Sequence, residues 1–248
     1  KNQISKVVFV PTTSNILTGD VKGEVRLWDA ERLQCIAKIG TCDGQISTLA
    51  VSPFGRLVAV GTYSGEVRVW DIEKQNLVQH LKLDSGFPLA LSFASADETL
   101  YVSTSNGILV AYDLKSGATR WHLIGIGSDV VAMDYDLTHD YIITATASHV
   151  IQLLDGETGT LIASSDGSGA GLRDIAIFPD GSRFATVRSD GTIGIWTIDN
   201  LGLVASIPSS QALESIDVSS DGHFVAISGG TGTIQVLNGI RRGRKVTN

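Results

Sequence analysis

The densest group of polar, reactive side chain types is the run DYDLTHDY, Asp134–Tyr141. Asp134 and Asp136 stand two apart and would share one face of a strand. With His139 and Asp140 they have the residue types of a cation site or of an acid–base pair. Nothing elsewhere signals the convergent ligands that a metal needs, so the run reads as a first strand and its following turn, binding no metal and catalysing nothing. The histidines, at 80, 122, 139, 149 and 223, are scattered, and only His80 and His122 are separated by a recurring interval, 42 residues. Cys35 and Cys42 are too few for a disulfide framework, and no four-ligand Cys/His set has zinc spacing. They read as two small, partly buried thiols in a reducing compartment. Nucleophile elbows, phosphate loops and HExxH zinc motifs are absent from the sequence. The one basic block, Arg241, Arg242, Arg244 and Lys245, suits a nuclear-import signal or an acidic partner, and suits a charge-protected edge strand better. Neither catalytic residues nor cofactors are expected.

The elements that carry these residues are short. The chain has 248 residues, 43% of them hydrophobic, and a formal net charge of −7. That is enough to bury a core, and the acidic balance disfavours nucleic acid as the main partner. Charged residues are 18%, below the usual ~25%, while glycine, at 27 residues, exceeds its usual share, which points to many tight turns. No apolar run approaches the length of a membrane-spanning helix. The first residue is Lys1 and not methionine, read here as a fragment or a processed chain.

A repeat organises the chain. GEVRLWD, GEVRVWD, GILVAYD, HVIQLLD, GTIGIWT and GTIQVLN begin at residues 23, 65, 107, 149, 191 and 232, steps of 42 closing with one of 41. Within a unit, runs such as ISTLAVSP (46–53), RLVAVGT (56–62), EVRVW (66–70) and NLVQHLKL (76–83) alternate apolar and polar residues between turn residues, and none sustains helical spacing. Four strands of about six residues fill such a unit. Each sheet is apolar on both faces and must pack between neighbours, which radial repetition achieves. Third strands are expected near Leu27, Val69, Leu109, Ile151, Ile195 and Gln235.

The period and the closing dipeptides Trp28-Asp29 and Trp70-Asp71 resemble WD-repeats. The turns SPFG (52–55) and FPDG (178–181), and more weakly SSDG (219–222), resemble that family's turn between first and second strands. The resemblance spans essentially the whole chain and implies an all-β fold, a β-propeller of four-stranded antiparallel blades in one domain over residues 1–248. Six units give a six-bladed ring, or six blades of a seven-bladed or larger propeller whose remainder lies outside the chain. The repeats depart from the family pattern. Its Gly-His dipeptide is missing throughout, and its turn aspartate survives only as Asp190. The family's His–Ser/Thr–Asp–Trp network is therefore not expected in any blade, and Thr62, Thr104 and Thr146 take over part of its work. Trp28, Trp70 and Trp196 are expected to be structural, each packed from a third strand against a neighbouring blade.

Two functions follow from resemblance. A propeller without catalytic groups reads as a scaffold or adaptor that binds other proteins or peptides on one face, inside the cell, in cytoplasm or nucleus. The alternative is an enzyme or cofactor-binding propeller, because LVAYDLKSGATRWHL and IQLLDGETGTLIAS are similar to repeats of quinone-cofactor dehydrogenases and of outer-membrane assembly propellers. WD-repeat relatives often engage partners through the loops before first strands and the turns before third strands. Mapped by the repeat, that face includes Gln45, Tyr63, Phe87, Asp129, Arg173 and Glu214. Tyr63, Phe87 and Arg173 are the expected anchors, aromatic and arginine side chains being the usual ones. Phe87 has an equal alternative as an inward plug between blades.

Overall fold

Alternation of β-branched and polar residues produces strands throughout. The computed structural model describes residues 3–94, 97–124, 129–167, 169, 171–219, 221–230 and 232–238, and among these there are 23 strands and no α-helix. No helix is long and apolar enough to cross a membrane among the described residues. The chain forms two compact units, residues 1–131 with 156–160, and residues 132–155 with 161–248.

In the first unit, blade 1 comprises β1 (Ile4–Phe9), β2 (Asn15–Asp20), β3 (Glu24–Asp29) and β4 (Gln34–Thr41). Blade 2 comprises β5 (Ile46–Val51), β6 (Leu57–Thr62), β7 (Glu66–Asp71) and β8 (Asn76–Lys82); blade 3 comprises β9 (Pro88–Phe93), β10 (Thr99–Thr104), β11 (Ile108–Asp113) and β12 (Thr119–Ile124). Each blade is an antiparallel meander in sequence order. The core lies between blades: Val25 and Leu27 of β3 pack with Ile46, Val58 and Val60 of blade 2, and Val67 and Val69 of β7 with Leu91, Leu100 and Val102 of blade 3. The loop Gly156–Thr160 also belongs to this unit, where the Gly156 carbonyl accepts hydrogen bonds from the buried Tyr101 hydroxyl (3.0 Å) and from Trp121 Nε1 (3.2 Å).

The second unit holds blade 4, made of β13 (Val130–Asp136, from Ala132 onward in this unit), β14 (Tyr141–Thr146), β15 (Val150–Asp155) and β16 (Leu161–Asp166). Blade 5 comprises β17 (Leu172–Ile177), β18 (Arg183–Arg188), β19 (Thr192–Thr197) and β20 (Leu203–Pro208). Blade 6 comprises β21 (Leu213–Val218), β22 (Phe224–Gly229) and β23 (Ile234–Asn238), a three-stranded sheet among the described residues. Its expected fourth strand, around 241–246, lies outside the described residues, as does the basic block. All six third strands fall where the repeat predicts them, and the sheets are the blades of a β-propeller.

Local rules recur at the same interval. The second residue of the first strand is bulged out of the ladder at Ser5, Ser47, Leu89, Arg173 and Glu214. The turn entering the third strand needs φ > 0, supplied by Gly23, Gly65, Gly107, Gly191 and Gly232, while His149 takes the same conformation (φ 72°) without being glycine. The turn leaving the third strand repeats this, with Gly117 and Gly159 at φ near 73° and Leu33, Gln75 and Leu201 at φ 50–54°.

Candidate functional site

In blades 1, 2, 3 and 5 the turn before the third strand is tied to the loop before the first strand of the same blade. Val21 N donates to the Gln3 carbonyl (3.0 Å), Tyr63 N to that of Gln45 (3.0 Å), Ser105 N to that of Phe87 (2.9 Å) and Ser189 N to that of Gly171 (3.0 Å). This zip gives the loops a fixed backbone, the condition for presenting side chains to a partner. In the first unit it brings two expected residues together. The rings of Tyr63 and Phe87 lie 4.9 Å apart, inclined at 55°, a favourable aromatic geometry. Tyr63 is 53% exposed and Phe87 half-buried, so Phe87 neither plugs the blades nor stands free. Gln45 is exposed beside them, Asp43 pairs with Arg68 at 2.6 Å, and Asp129 is half-buried.

Arg173 and Glu214 belong to the second unit and are not in loops, as the mapping had them, but inside β17 and β21. They stand at the bulge, two residues beyond the position equivalent to Gln45 and Phe87, and Gly171 takes that position instead. Each occupies a bulge and projects from it, and their side chains form an exposed ion pair at 3.8 Å, an interaction of about 0–1 kcal/mol.

The tryptophans divide by partner. Trp28 Nε1 donates to Thr18 Oγ1 (2.8 Å) and Trp196 Nε1 to Thr186 Oγ1 (3.0 Å), so blades 1 and 5 keep the outer half of a network expected in none. Trp70 faces Val60 where those blades have threonine, and it packs on Gly40, where any Cβ would come 2.5 Å from the indole. Asp29 and Asp71 close the turns after their strands by accepting main-chain N–H groups at 2.8–3.0 Å. Asp190 accepts Thr192 N (2.8 Å). In blade 1 the equivalent turn is closed from a different position, by Asp20 accepting Lys22 N (2.8 Å) and Glu24 N (2.9 Å). Asp20 replaces the recurring threonine there: in blades 3 and 4 Thr104 and Thr146 accept the N–H of Ile108 and Val150.

The DYDLTHDY cluster does not converge. Asp136 is buried and takes Thr138 N (2.9 Å) and His139 Nδ1 (2.6 Å), Tyr135 Oη reaches Asp140 (2.6 Å), and Asp134 turns to a different neighbour. Thr138 and His139 border a groove of about 660 Å³ between blades 4 and 5, with Tyr141, Leu153, Ile162 and Arg183 among its lining. The nearby Ser182 hydroxyl is spent on Asp180 (2.7 Å), so it is not activated by His139. No group of three or more His, Cys, Asp or Glu side chains is arranged to hold a metal among the described residues. Cys35 is exposed, and Cys42 is buried with its thiol pushed up to about 12 by desolvation, which makes it unreactive. The Asp-x-x-Ser-Gly turn behind the quinoprotein resemblance has a local cause: Asp113 accepts the Ser116 N–H and hydroxyl, and Gly117 provides the left-handed residue.

Residue-by-residue reading missed a set of aspartates on first strands. Asp134 Oδ2 accepts Ile177 N of the next blade (2.9 Å) while Oδ1 accepts its own neighbour Tyr135 N (2.8 Å). Asp174 Oδ2 accepts Ile216 N (3.0 Å) and the Ser215 hydroxyl (2.7 Å) of the blade after it. Burial raises the Asp134 carboxyl to about 7 against these N–H donors, and the Asp217 and Asp174 charges add to the rise. The signal was present: Asp134 and Asp217 occupy the same place two repeats apart.

Repeated antiparallel blades, a 42-residue period and third strands that end in Trp-Asp in blades 1 and 2 define a WD-repeat-type propeller. Comparison with protein families narrows this: the family model described as the nucleolar protein 10-like N-terminal domain matches residues 2–207. The chain belongs to that family. The match runs from ahead of β1 into β20, the last strand of blade 5.

Proposed function

We propose that this domain is a non-catalytic docking platform for other proteins or peptides within a nuclear, specifically nucleolar, protein. Membership in a family described as nucleolar protein 10-like supports the location, and the propeller class supports protein binding. The observation that carries the reading is the Tyr63–Phe87 pair, a half-exposed aromatic step held on a zipped backbone. Such a pair offers large contact area at low entropic cost, the character of an interface anchor. Gln45 and Asp129 extend that surface, and Arg173 with Glu214 gives the second unit a charged counterpart. The partner is an extended peptide or loop that inserts an apolar side chain against the rings.

The test is purification of the protein from cells with Tyr63 and Phe87 both replaced by alanine, and separately with Arg173→Ala. Loss of the co-purifying partners on the aromatic double substitution, with the far-UV spectrum unchanged, is the expected result. Retention of every partner at wild-type affinity means that this face is not the working one.

A further inference from the structure

The net charge of the chain is unevenly placed. Residues 130–208, the span of blades 4 and 5, carry ten Asp and Glu against three Arg and no Lys, while the other residues carry sixteen of each sign. The whole formal charge of −7 therefore falls in this span, where it attracts a cationic partner and repels an anionic one. The groove between the same two blades is lined entirely by residues of the second unit. It opens at the end that carries the turns after first and third strands, opposite the zip between Ser189 and Gly171.

The floor of the groove is apolar, formed by Leu153 and Ile198, which are 1% and 2% exposed. Its walls are Tyr141, half-buried with its ring stacked on His139 at 5.7 Å and 18°, and Ile162, which is 47% exposed. Ile162 is the unpaired residue of β16, since Leu153 pairs with Ala163 and Leu154 with Leu161, and from that bulge it lines the groove. The rim is acidic, with Asp180 and Asp199 both exposed. The basic side chains of the groove are already engaged: Arg183 lies over the Phe178 ring at 4.8 Å and 4.0 Å from Asp180, and His139 Nδ1 is 2.6 Å from Asp136. Asp199 forms no ion pair among the described residues. An apolar floor inside a rim of carboxylates complements an apolar side chain flanked by cations.

We propose that this groove binds a basic peptide segment of a partner protein. One apolar side chain of the segment enters between Tyr141, Ile162 and Ile198, and the Lys or Arg residues on either side of it meet Asp199 and Asp180. The site does not depend on the Tyr63–Phe87 surface and selects a different chemistry.

NMR of the protein with labelled isoleucine and leucine methyls tests this with a synthetic peptide, acetyl-Lys-Lys-Leu-Lys-Lys-amide. The expected result is a saturable shift of the Leu153, Ile162 and Ile198 signals below about 1 mM peptide. Serine in place of the peptide's leucine, or glutamate in place of its four lysines, should each weaken binding at least about tenfold. Ile162→Ser and, separately, Asp199→Lys should do the same to the original peptide. Both positions are exposed, so an unchanged unfolding midpoint separates lost binding from lost folding. Absence of shifts at these methyls overturns the proposal, as do shifts that persist in both variants. Equal binding of the serine peptide also overturns it, since only a diffuse attraction of charge is then at work, and so does equal binding of the glutamate peptide.

Discussion

At the scale of the residue, three tryptophans of one repeat position are held in two ways, and the difference is measurable. Trp70 is buried among Val25, Leu27 and Ile39 and rests on Gly40, so Trp70→Ala should cost about 3–5 kcal/mol in denaturant unfolding. Gly40→Ala should also destabilise, because a rigid ring and not a flexible side chain stands in the way. An unchanged unfolding midpoint in both variants would refute the packing. Trp28 and Trp196 instead depend on a threonine hydroxyl. Thr186→Val strands a fully buried indole N–H and should cost about 1–3 kcal/mol, whereas Thr18→Val, beside the half-buried Trp28, should cost less. The order of the two losses is the prediction. A tryptophan is legible in a sequence, but whether its N–H is satisfied depends on a residue ten positions earlier, threonine in blades 1 and 5 and valine in blade 2.

At the scale of the element, each hairpin needs a left-handed residue, and the sequence does not always provide the best one. Leu33 is almost fully exposed at φ 54°, and His149 stands at φ 72° with its buried Nδ1 unpartnered among the described residues. Gly117 and the five turn glycines hold these places elsewhere. Leu33→Gly and His149→Gly should therefore each stabilise by roughly 0.5–1 kcal/mol, against the usual penalty of introducing glycine. A lower melting temperature in both variants would contradict the turn assignment. The strands themselves were legible because alternation and turn residues recur at a fixed interval, so every third strand could be placed by its closing dipeptide or a degraded copy. The bulges were not legible. A bulge adds one unpaired residue without changing composition, so the sequence does not show that Arg173 and Glu214, two residues past the loop position equivalent to Gln45 and Phe87, stand unpaired within strands. The Tyr63–Phe87 contact was half legible: the repeat put both on one kind of edge, but ring against ring depends on the zip between loop and turn.

At the scale of the whole molecule, the acidic groups give stability a pH dependence with a definite sign. Burial raises Asp134 to about 7 and also raises Asp97, so between about pH 4 and 7 the folded chain holds protons that the unfolded chain has released. A carboxyl raised in this way contributes stability that is fully present below its ordinary value near 4 and is lost as pH climbs through 7. Opposed to it, Asp113 and Asp221 are lowered by hydrogen bonds from Ser116 and Ser219, Asp221 to about 2, and their contribution is lost only as pH falls below 4. The two windows do not overlap. The melting temperature should therefore rise as pH is lowered from 8 to 5, and fall again below about pH 4. Asp134→Asn removes the carboxyl raised furthest while leaving one N–H acceptor, so it should lower the melting temperature overall and flatten the slope between pH 5 and 8. A slope in that variant equal to the wild-type slope would show that Asp134 is already ionised throughout and that its N–H donors, not its burial, set its charge.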